Sequence, residues 1–322
     1  MRPVHASDWQ AELDLTDREP PFFFRSEDQL TGTSPQPHAL RRAFELLELN
    51  GVLCTENAPL VYFKLVSRIA LDDIRVLYRK FWNHGGAPLL VIISTEEVQI
   101  YSALQRPRPC ESPSSIPSGL VTSIKRASVA LKELLPTVKS GEFFRRHSQS
   151  FKVSERVDHS LLNNLSATRD KLAPSSHPGV LDSFLCRLVF TCYLFDRGVV
   201  GGSYLEDIGL RGLVHLRDIL GLRPHLNAKD ALYRLFRRLV GDFNGDLFNA
   251  NLEAEANVIS SSHIETVDAF FRGTDITTGE GSFWPYDFEA IPIETISAIY
   301  ERFLNADQNE KNPSILLHFS RS

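Results

Sequence analysis

The spacing of hydrophobic positions changes character about a third of the way along the chain. Up to residue 104, short apolar runs alternate with helical patterns. The patterns predict a helix over 38–49, ended by Asn50-Gly51, and a second helix over 71–82 that ends before Gly85-Gly86. Four strands are predicted, from the strings VLC, APLVYFKLV, PLLVIIS and EVQIYS, with the first two at 52–54 and 60–66.

Beyond a segment rich in Pro and Ser, apolar positions recur at helical spacing. The candidate helices are separated by prolines or glycines, which end helices. We predict helices at about 119–135, 141–149, 156–173, 179–197, 209–220, 227–241, 262–272 and 292–304.

This order of elements predicts an α+β protein. A small α/β domain over 37–104 is followed by a mostly helical domain over 119–304, with residues 105–118 as a linker. We expect residues 1–36 to form a loosely ordered lead-in, and residues 305–322 to form a polar tail.

Composition narrows the class of protein. The chain has 322 residues, of which 43% are hydrophobic, enough for two domains with a core each. The formal net charge is −5, so nucleic acid would have to bind at local basic patches. The four cysteines form no CxxC pair and no Cys/His spacing typical of zinc, and we expect no metal site. No stretch has signal-peptide or membrane-span character, so we expect a cytoplasmic protein with no membrane partner.

Several strings resemble one family. LYRLFRRLVGDFNGDLF (232–248) and FWPYDFEAIPIETISAIYERFL (283–304) resemble the helical region ahead of the catalytic domain in adenine-specific DNA methylases of the type IIG restriction–modification group. LCRLVFTCYLFDRGVV (185–200) is similar to a buried helix of that family. In the front part, HALRRAFELL, PLVYFK, WNHGGAPLLVIISTEEVQIY and GEFFRRHSQSF resemble its N-terminal regions, so the resemblance runs from about 38 to 304.

The resemblance implies a DNA-associated module of a restriction–modification or phage-defence methylase. The family's Gly-rich loop for S-adenosylmethionine and its Asn/Asp-Pro-Pro-Tyr/Phe motif have no counterpart in this sequence. We therefore expect no methyl-transfer site and no cofactor here, with S-adenosylmethionine bound only by a full-length relative. The implied partners are DNA and a separate methylase chain. Self-association through the C-terminal helix is a further possibility, since its apolar stripe would be exposed without a methylase core (Ile293, Ile296, Ile299, Tyr300 and Phe303).

The front domain also resembles a degenerate restriction-nuclease fold. In that fold one strand carries Asp and the next carries Glu-x-Lys, and the carboxylates hold Mg²⁺. Here Lys64 has the place of the lysine, but Tyr62 stands where the Glu would be. A divergent Mg²⁺ nuclease would have to use Glu45 and Glu56 together with Lys64. A structural or protein-interaction module is the other alternative.

Basic residues on predicted helices and loops are the candidate DNA contacts. Each group would bind phosphate if it faces the duplex, and would otherwise be an ordinary solvated helix face. The candidates are Arg75, Arg79, Lys80, Arg145, Arg146, Lys152, Arg234 and Arg238.

Overall fold

The chain divides by its internal contacts into two units. Unit 1 comprises Met1–Ser160 and Pro285–Pro292, and unit 2 comprises Leu161–Trp284 and Ile293–Ser322. The structure is a computed structural model that describes residues 8–15, 22–110, 112–126, 129–173, 178–243, 251–274, 276, 281 and 283–311.

Unit 1 is built on an open sheet of six strands in the order β1-β2-β3-β4-β5-β6. Every neighbouring pair is antiparallel except β3 and β4, which are parallel. The strands are β1 (Phe22–Phe24), β2 (Gly51–Cys54), β3 (Pro59–Leu65), β4 (Leu89–Ile93), β5 (Glu97–Ser102) and β6 (Leu120–Lys125).

Helices cover both faces of the sheet. On one face, α2 (Pro37–Leu47) and α3 (Leu71–His84) pack on alternate residues of the strands, among them Tyr62 and Leu90. On the other face, α1 (Asp8–Glu12), α4 (Val129–Lys139) and α5 (Glu142–Arg146) pack on the remaining residues, among them Val61 and Phe63. All five residues of β4 are buried, as its continuous apolar run predicts for a strand covered on both faces.

The parallel pair depends on α3, which carries the chain from the end of β3 back to the start of β4. Asp72 and Asp73 favour its first turn, where the helix dipole is positive. Gly85 ends it with a φ of 62°, a left-handed conformation that glycine adopts without steric strain.

The segment 285–292 packs against α3 within unit 1. The Asn83 amide donates to the carbonyl of Pro285 (2.8 Å) and accepts from the backbone N–H of Asp287 (3.0 Å). Arg79 donates to the Tyr286 carbonyl at 2.8 Å, and the Tyr286 ring lies 5.8 Å from that of Trp82. Asn83 is fully buried, so its polar atoms depend on these partners.

In unit 2 the described residues form helices joined by loops, with no strand among them. Its helices are the larger part of α6 (Val157–Leu172), followed by α7 (Pro178–Asp196), α8 (Gly202–Asp207), α9 (Leu216–Leu220), α10 (His225–Asp242), α11 (Leu252–Val258), α12 (Ser261–Phe271) and α13 (Ile293–Lys311).

A buried ion pair links α7 to α11, with Arg187 Nη1 2.5 Å from Glu255 Oε1. Tyr233 on α10 donates to the same carboxylate oxygen at 3.0 Å.

The mixed α+β class and the four strands predicted before residue 104 are confirmed. The helix predicted over 119–135 is wrong in its first half, because residues 120–125 form β6 and pair with β5. Pro136 does not end α4; it lies on the exposed side, and the Thr137 hydroxyl donates to the Leu134 carbonyl at 2.8 Å. Three short helices, α1, α8 and α11, were not predicted.

The ends of the chain also differ from expectation. Within the segment expected to be loosely ordered, Phe22–Phe24 pair with β2, and Trp9 is buried against Phe23 and Phe63. The C-terminal stripe is not an exposed patch, because Ile296, Ile299 and Phe303 are buried and α13 packs on α7. Residues 244–248 of the family-like string and residues 312–322 of the tail lie outside the described residues. None of the described helices is long and apolar enough to span a membrane.

Candidate functional site

Strands β2 and β3 contain the positions at which the expected nuclease fold would carry its metal ligands. Tyr62 and Lys64 lie on the same face of β3, and Tyr62 is directly opposite Val52 of β2. Tyr62 is fully buried, and its hydroxyl has no hydrogen-bond partner among the described residues. An aromatic ring therefore fills the position where a metal-binding carboxylate would lie.

The structure does not bring Glu45, Glu56 and Lys64 together. Lys64 Nζ lies 3.1 Å from Glu48 Oε2 and donates to the Glu48 carbonyl at 2.7 Å. Glu45 is exposed on α2 and pairs with Arg42 at 3.0 Å. Glu56 is exposed in the turn between β2 and β3, at the opposite end of β3 from Lys64.

Glu48 was missed by sequence reasoning because its position depends on the end of α2. It adopts a left-handed conformation (φ 48°) as the C-cap of the helix. The hydrogen bond from Lys64, with that lysine's charge, lowers the pKa of the Glu48 carboxyl below its ordinary value, and Lys80 adds to this. One exposed carboxylate paired with a lysine is an ordinary surface ion pair.

His84 is the other titratable group near Tyr62, with the two rings 5.8 Å apart. Its Nδ1 accepts from the Gly86 N–H and its Nε2 lies 3.2 Å from the Ala39 carbonyl, so the neutral ring carries its proton on Nε2. Burial lowers the pKa of His84 to about 4. Both ring nitrogens are occupied by backbone groups, so His84 has a structural role.

Arg75 and Arg79, two of the candidate DNA contacts, bind other groups of unit 1 instead. Arg75 pairs with Asp72 at 2.6 Å and donates to the carbonyl of Ser115 at 2.7 Å, which ties α3 to the loop before β6. Arg79 donates to the carbonyls of Pro285 and Tyr286. Lys80, half-buried, lies close enough to Glu48 to lower the pKa of its carboxyl.

The candidates on and after α5 are exposed. The side chains of Arg145 and Arg146 are 80% and 60% exposed, and both lie near Glu142, at 3.9 and 2.5 Å. Lys152 is exposed as well. The ring of Phe144 lies 4.8 Å from that of Phe151, so the segments that carry Arg145 and Lys152 pack against each other.

Further cations join this group. Arg156 is 50% exposed and pairs with Asp158, and Arg108 is 68% exposed and lies 3.4 Å from Glu155. The backbone N–H of Arg106 also donates to Glu155, which fixes the loop after β5 beside residues 153–155. The basic surface of unit 1 is defined here as Arg108, Arg145, Arg146, Lys152 and Arg156.

Arg234 and Arg238, on α10 of unit 2, are exposed but partly engaged. Arg238 pairs with Asp242 at 3.0 Å and lies over the Tyr204 ring. Arg234 donates to the Ile208 carbonyl at 3.4 Å.

One cluster in unit 2 has metal-ligand chemistry. Cys192 and Asp196 are one helical turn apart on α7, and His215 caps α9. One ligand atom of each lies within 4.8 Å of the others. Burial raises the pKa of the Cys192 thiol far above its ordinary value, with Asp196 adding to the rise and Arg217 opposing it.

The hydrogen bonds of His215 do not fit a metal ligand. Its Nδ1 accepts from the Arg217 N–H at 3.1 Å, and its Nε2 donates to Asp196 at 2.8 Å. A metal-binding histidine donates its second ring N–H to an acceptor, whereas here the second nitrogen faces a backbone donor. A metal on Nε2 would require a proton on Nδ1 and would break the cap of α9, so the cluster fits a brace between α7 and α9.

Comparison with known proteins found no match among protein-family models, curated proteins or solved structures.

Proposed function

We propose that the chain is a DNA-associated module that contacts the phosphate backbone through the basic surface of unit 1. The observation that carries the proposal is the concentration of exposed cations in the segment 139–156. This segment holds four of the five residues of that surface and, with Lys139, has five basic residues against two acidic ones. The whole chain has a net charge of −5, so this local excess is a departure from its average. Phosphate contacts of this kind bind without reading sequence.

The resemblance to type IIG restriction–modification enzymes supports the same proposal. In that setting the chain supplies DNA contacts and a helical spacer, while S-adenosylmethionine and methyl transfer belong to a full-length relative or a partner methylase chain. The restriction-nuclease likeness of unit 1 is part of this proposal as a scaffold. The positions of Tyr62, Glu45 and Glu56 argue against nuclease chemistry at β3.

The test is the salt dependence of DNA binding by the full chain. We expect weak affinity with little sequence preference, falling steeply between about 50 and 200 mM salt. The triple substitution Arg145→Ala, Arg146→Ala, Lys152→Ala should lower the slope of log K against log salt by about 3 and weaken binding at least about 100-fold at low salt.

The matched control removes three exposed cations elsewhere, as Arg68→Ala, Lys171→Ala, Arg237→Ala. Fluorescence anisotropy with two unrelated duplexes measures both variants. Equal losses in the two variants would mean that net charge alone drives binding, and the basic surface would then have no special role. A strong preference for one duplex would contradict backbone recognition.

A further inference from the structure

An open cavity of about 820 Å³ lies in unit 2, lined entirely by residues of that unit. Its walls come from the loop 212–214, from α9, from the end of α12 and from Trp284. The size is within the range of pockets that bind small molecules. The basic surface of unit 1 is not part of it.

Arg217 is the unusual residue of this cavity. Its guanidinium lies over the Trp284 ring, 5.1 Å from the centroid. No carboxylate of the described residues lies within 4.0 Å of it, and its buried Nε has no hydrogen-bond partner among them. Its guanidinium also forms a side-chain hydrogen bond with the buried Cys192 thiol, a neutral group, so an anionic ligand in the cavity would supply the negative charge that these contacts do not.

The two carboxylates in the cavity wall are already occupied. Asp218 accepts the backbone N–H groups of Val214 and His215, both at 2.9 Å. Asp268 pairs with Arg223 at 2.7 Å and with Arg272 at 2.9 Å. Each carboxylate therefore has partners other than Arg217.

Arg272 adds a second guanidinium to the wall. Its side chain is 56% exposed, and its Nε is bonded to Asp268. Its Nη2 lies where a side chain at Gly221 would begin, 2.9 Å from an added Cβ, so glycine at this position leaves room for the guanidinium beside α9. Two planar guanidinium groups are suited to a tetrahedral oxyanion, since each presents a rigid fork of N–H donors.

Apolar groups form the rest of the wall. Phe271 and the edge of Trp284 lie beside the cations, while Val214, 65% exposed, lies at the rim. The Trp284 ring contacts Arg217 and, with centroids 5.2 Å apart in each case, the rings of Phe270 and Phe271. An uncharged part of a ligand would therefore contact the apolar rim and the aromatic rings of the wall.

We propose that this cavity binds the phosphate group of a small molecule of mononucleotide size, held by Arg217 and Arg272. The brace of Asp196 and His215 fixes the start of α9 and so positions Arg217, two residues further along. Phosphate on a DNA end has the same chemistry, and the experiment separates the two sources.

Calorimetric titration of the full chain with 5′-AMP, inorganic phosphate and adenosine tests the proposal. Saturable binding is expected for 5′-AMP and, more weakly, for phosphate, but not for adenosine. Arg217→Gln and Arg272→Gln should each weaken 5′-AMP binding roughly 10-fold or more, since each removes charged hydrogen bonds. Arg217→Lys keeps the charge without the planar fork and should fall between wild type and Arg217→Gln.

Arg237→Gln, an exposed arginine on α10 outside the cavity wall, is the matched control and should bind as wild type does. Circular dichroism verifies that each variant is folded, and the exposed Arg272 provides the decisive variant if Arg217→Gln does not fold. Binding that is absent in the millimolar range, or unchanged in Arg272→Gln, would overturn the proposal. Binding of a 5′-phosphorylated duplex that is lost in Arg272→Gln, without binding of 5′-AMP, would overturn the small-molecule assignment in favour of a DNA end.

Discussion

The two units bury polar side chains in different ways. Among the described residues, those of unit 1 that are buried are uncharged, namely Asn83, His84, Ser94, Gln99, Ser102 and Ser160. Unit 2 buries charge, with Asp182, Arg187, Glu255 and Asp268 all less than 9% exposed. In the sheet of unit 1, backbone hydrogen bonds already fix which strands are neighbours.

Helices make no backbone hydrogen bonds to one another, so side chains must determine which helices pair. In unit 2, Arg187, Tyr233 and Glu255 join α7, α10 and α11 through one carboxylate oxygen. The difference suggests that charged contacts specify the arrangement of helices in unit 2, whereas strand register specifies unit 1.

The first prediction tests the buried charge of unit 2. Glu255→Leu leaves Arg187 buried without its carboxylate, and we expect the free energy of unfolding to fall by about 3–5 kcal/mol. Urea denaturation measures the loss. Glu253→Leu, at an exposed position of the same helix, is the control and should change stability by less than about 0.5 kcal/mol. The double variant Arg187→Met, Glu255→Leu should recover much of the loss, and its failure to do so would show that the pair contributes more than mutual neutralisation.

The second prediction concerns the neutral histidine of unit 1. The pKa of His84 is about 4 in the folded chain, below the ordinary value of 6.5, so the unfolded chain binds the extra proton between these pH values. Stability should therefore fall as pH drops from about 6.5 to 4, by about 3 kcal/mol from this group.

Urea denaturation of His84→Gln across the same pH range tests this origin, since the variant should lose that part of the pH dependence. His38→Gln, at an exposed position, should retain it. An unchanged pH dependence in His84→Gln would mean that folding does not lower the pKa of His84, so this histidine would not be a buried neutral group.

The third prediction compares the contributions of two arginines of unit 2, Arg187 and Arg217, to stability. Arg187→Met leaves Glu255 buried without its cation, whereas Arg217→Met leaves no carboxylate unpaired. We expect Arg217→Met to change the free energy of unfolding by about 1 kcal/mol or less, because the lost cation–π contact is offset by removal of a desolvated charge. Thermal denaturation of the two variants side by side makes the comparison. A loss of several kcal/mol at Arg217 would assign it a structural role and weaken the case for a phosphate site.

Much of unit 1 was predictable because its elements have local signals. The apolar run PLLVIIS marks a strand buried on both faces, and the period of 71–82 marks α3. β6 was missed although Val121, Thr122 and Ile124 favour strands. Its residues are mostly half-buried or exposed, and β5 is its partner in the sheet, so the contacts that make it a strand are not local in sequence.

The candidate sites were less predictable, because they depend on which atoms already have partners. Arg75 and Arg145 look alike in the sequence, but backbone carbonyls engage the first while the second is exposed. Arg217 was not predicted as a site residue, because the surrounding sequence HLRDIL matches no binding motif. Only the fold shows that Asp218, its neighbour, is turned toward the backbone of residues 214 and 215.

The interleaving of the units along the chain has a consequence during synthesis. Unit 1 is completed by Pro285–Pro292, and the ribosome adds residues 161–284 before that segment emerges. At about 5–20 residues per second this takes roughly 6–25 s. During that interval Asn83 of the nascent sheet domain lacks two of its hydrogen-bond partners, the Pro285 carbonyl and the Asp287 N–H. Unit 1, whose synthesis begins first, therefore gains its last segment only after most of unit 2 has been translated.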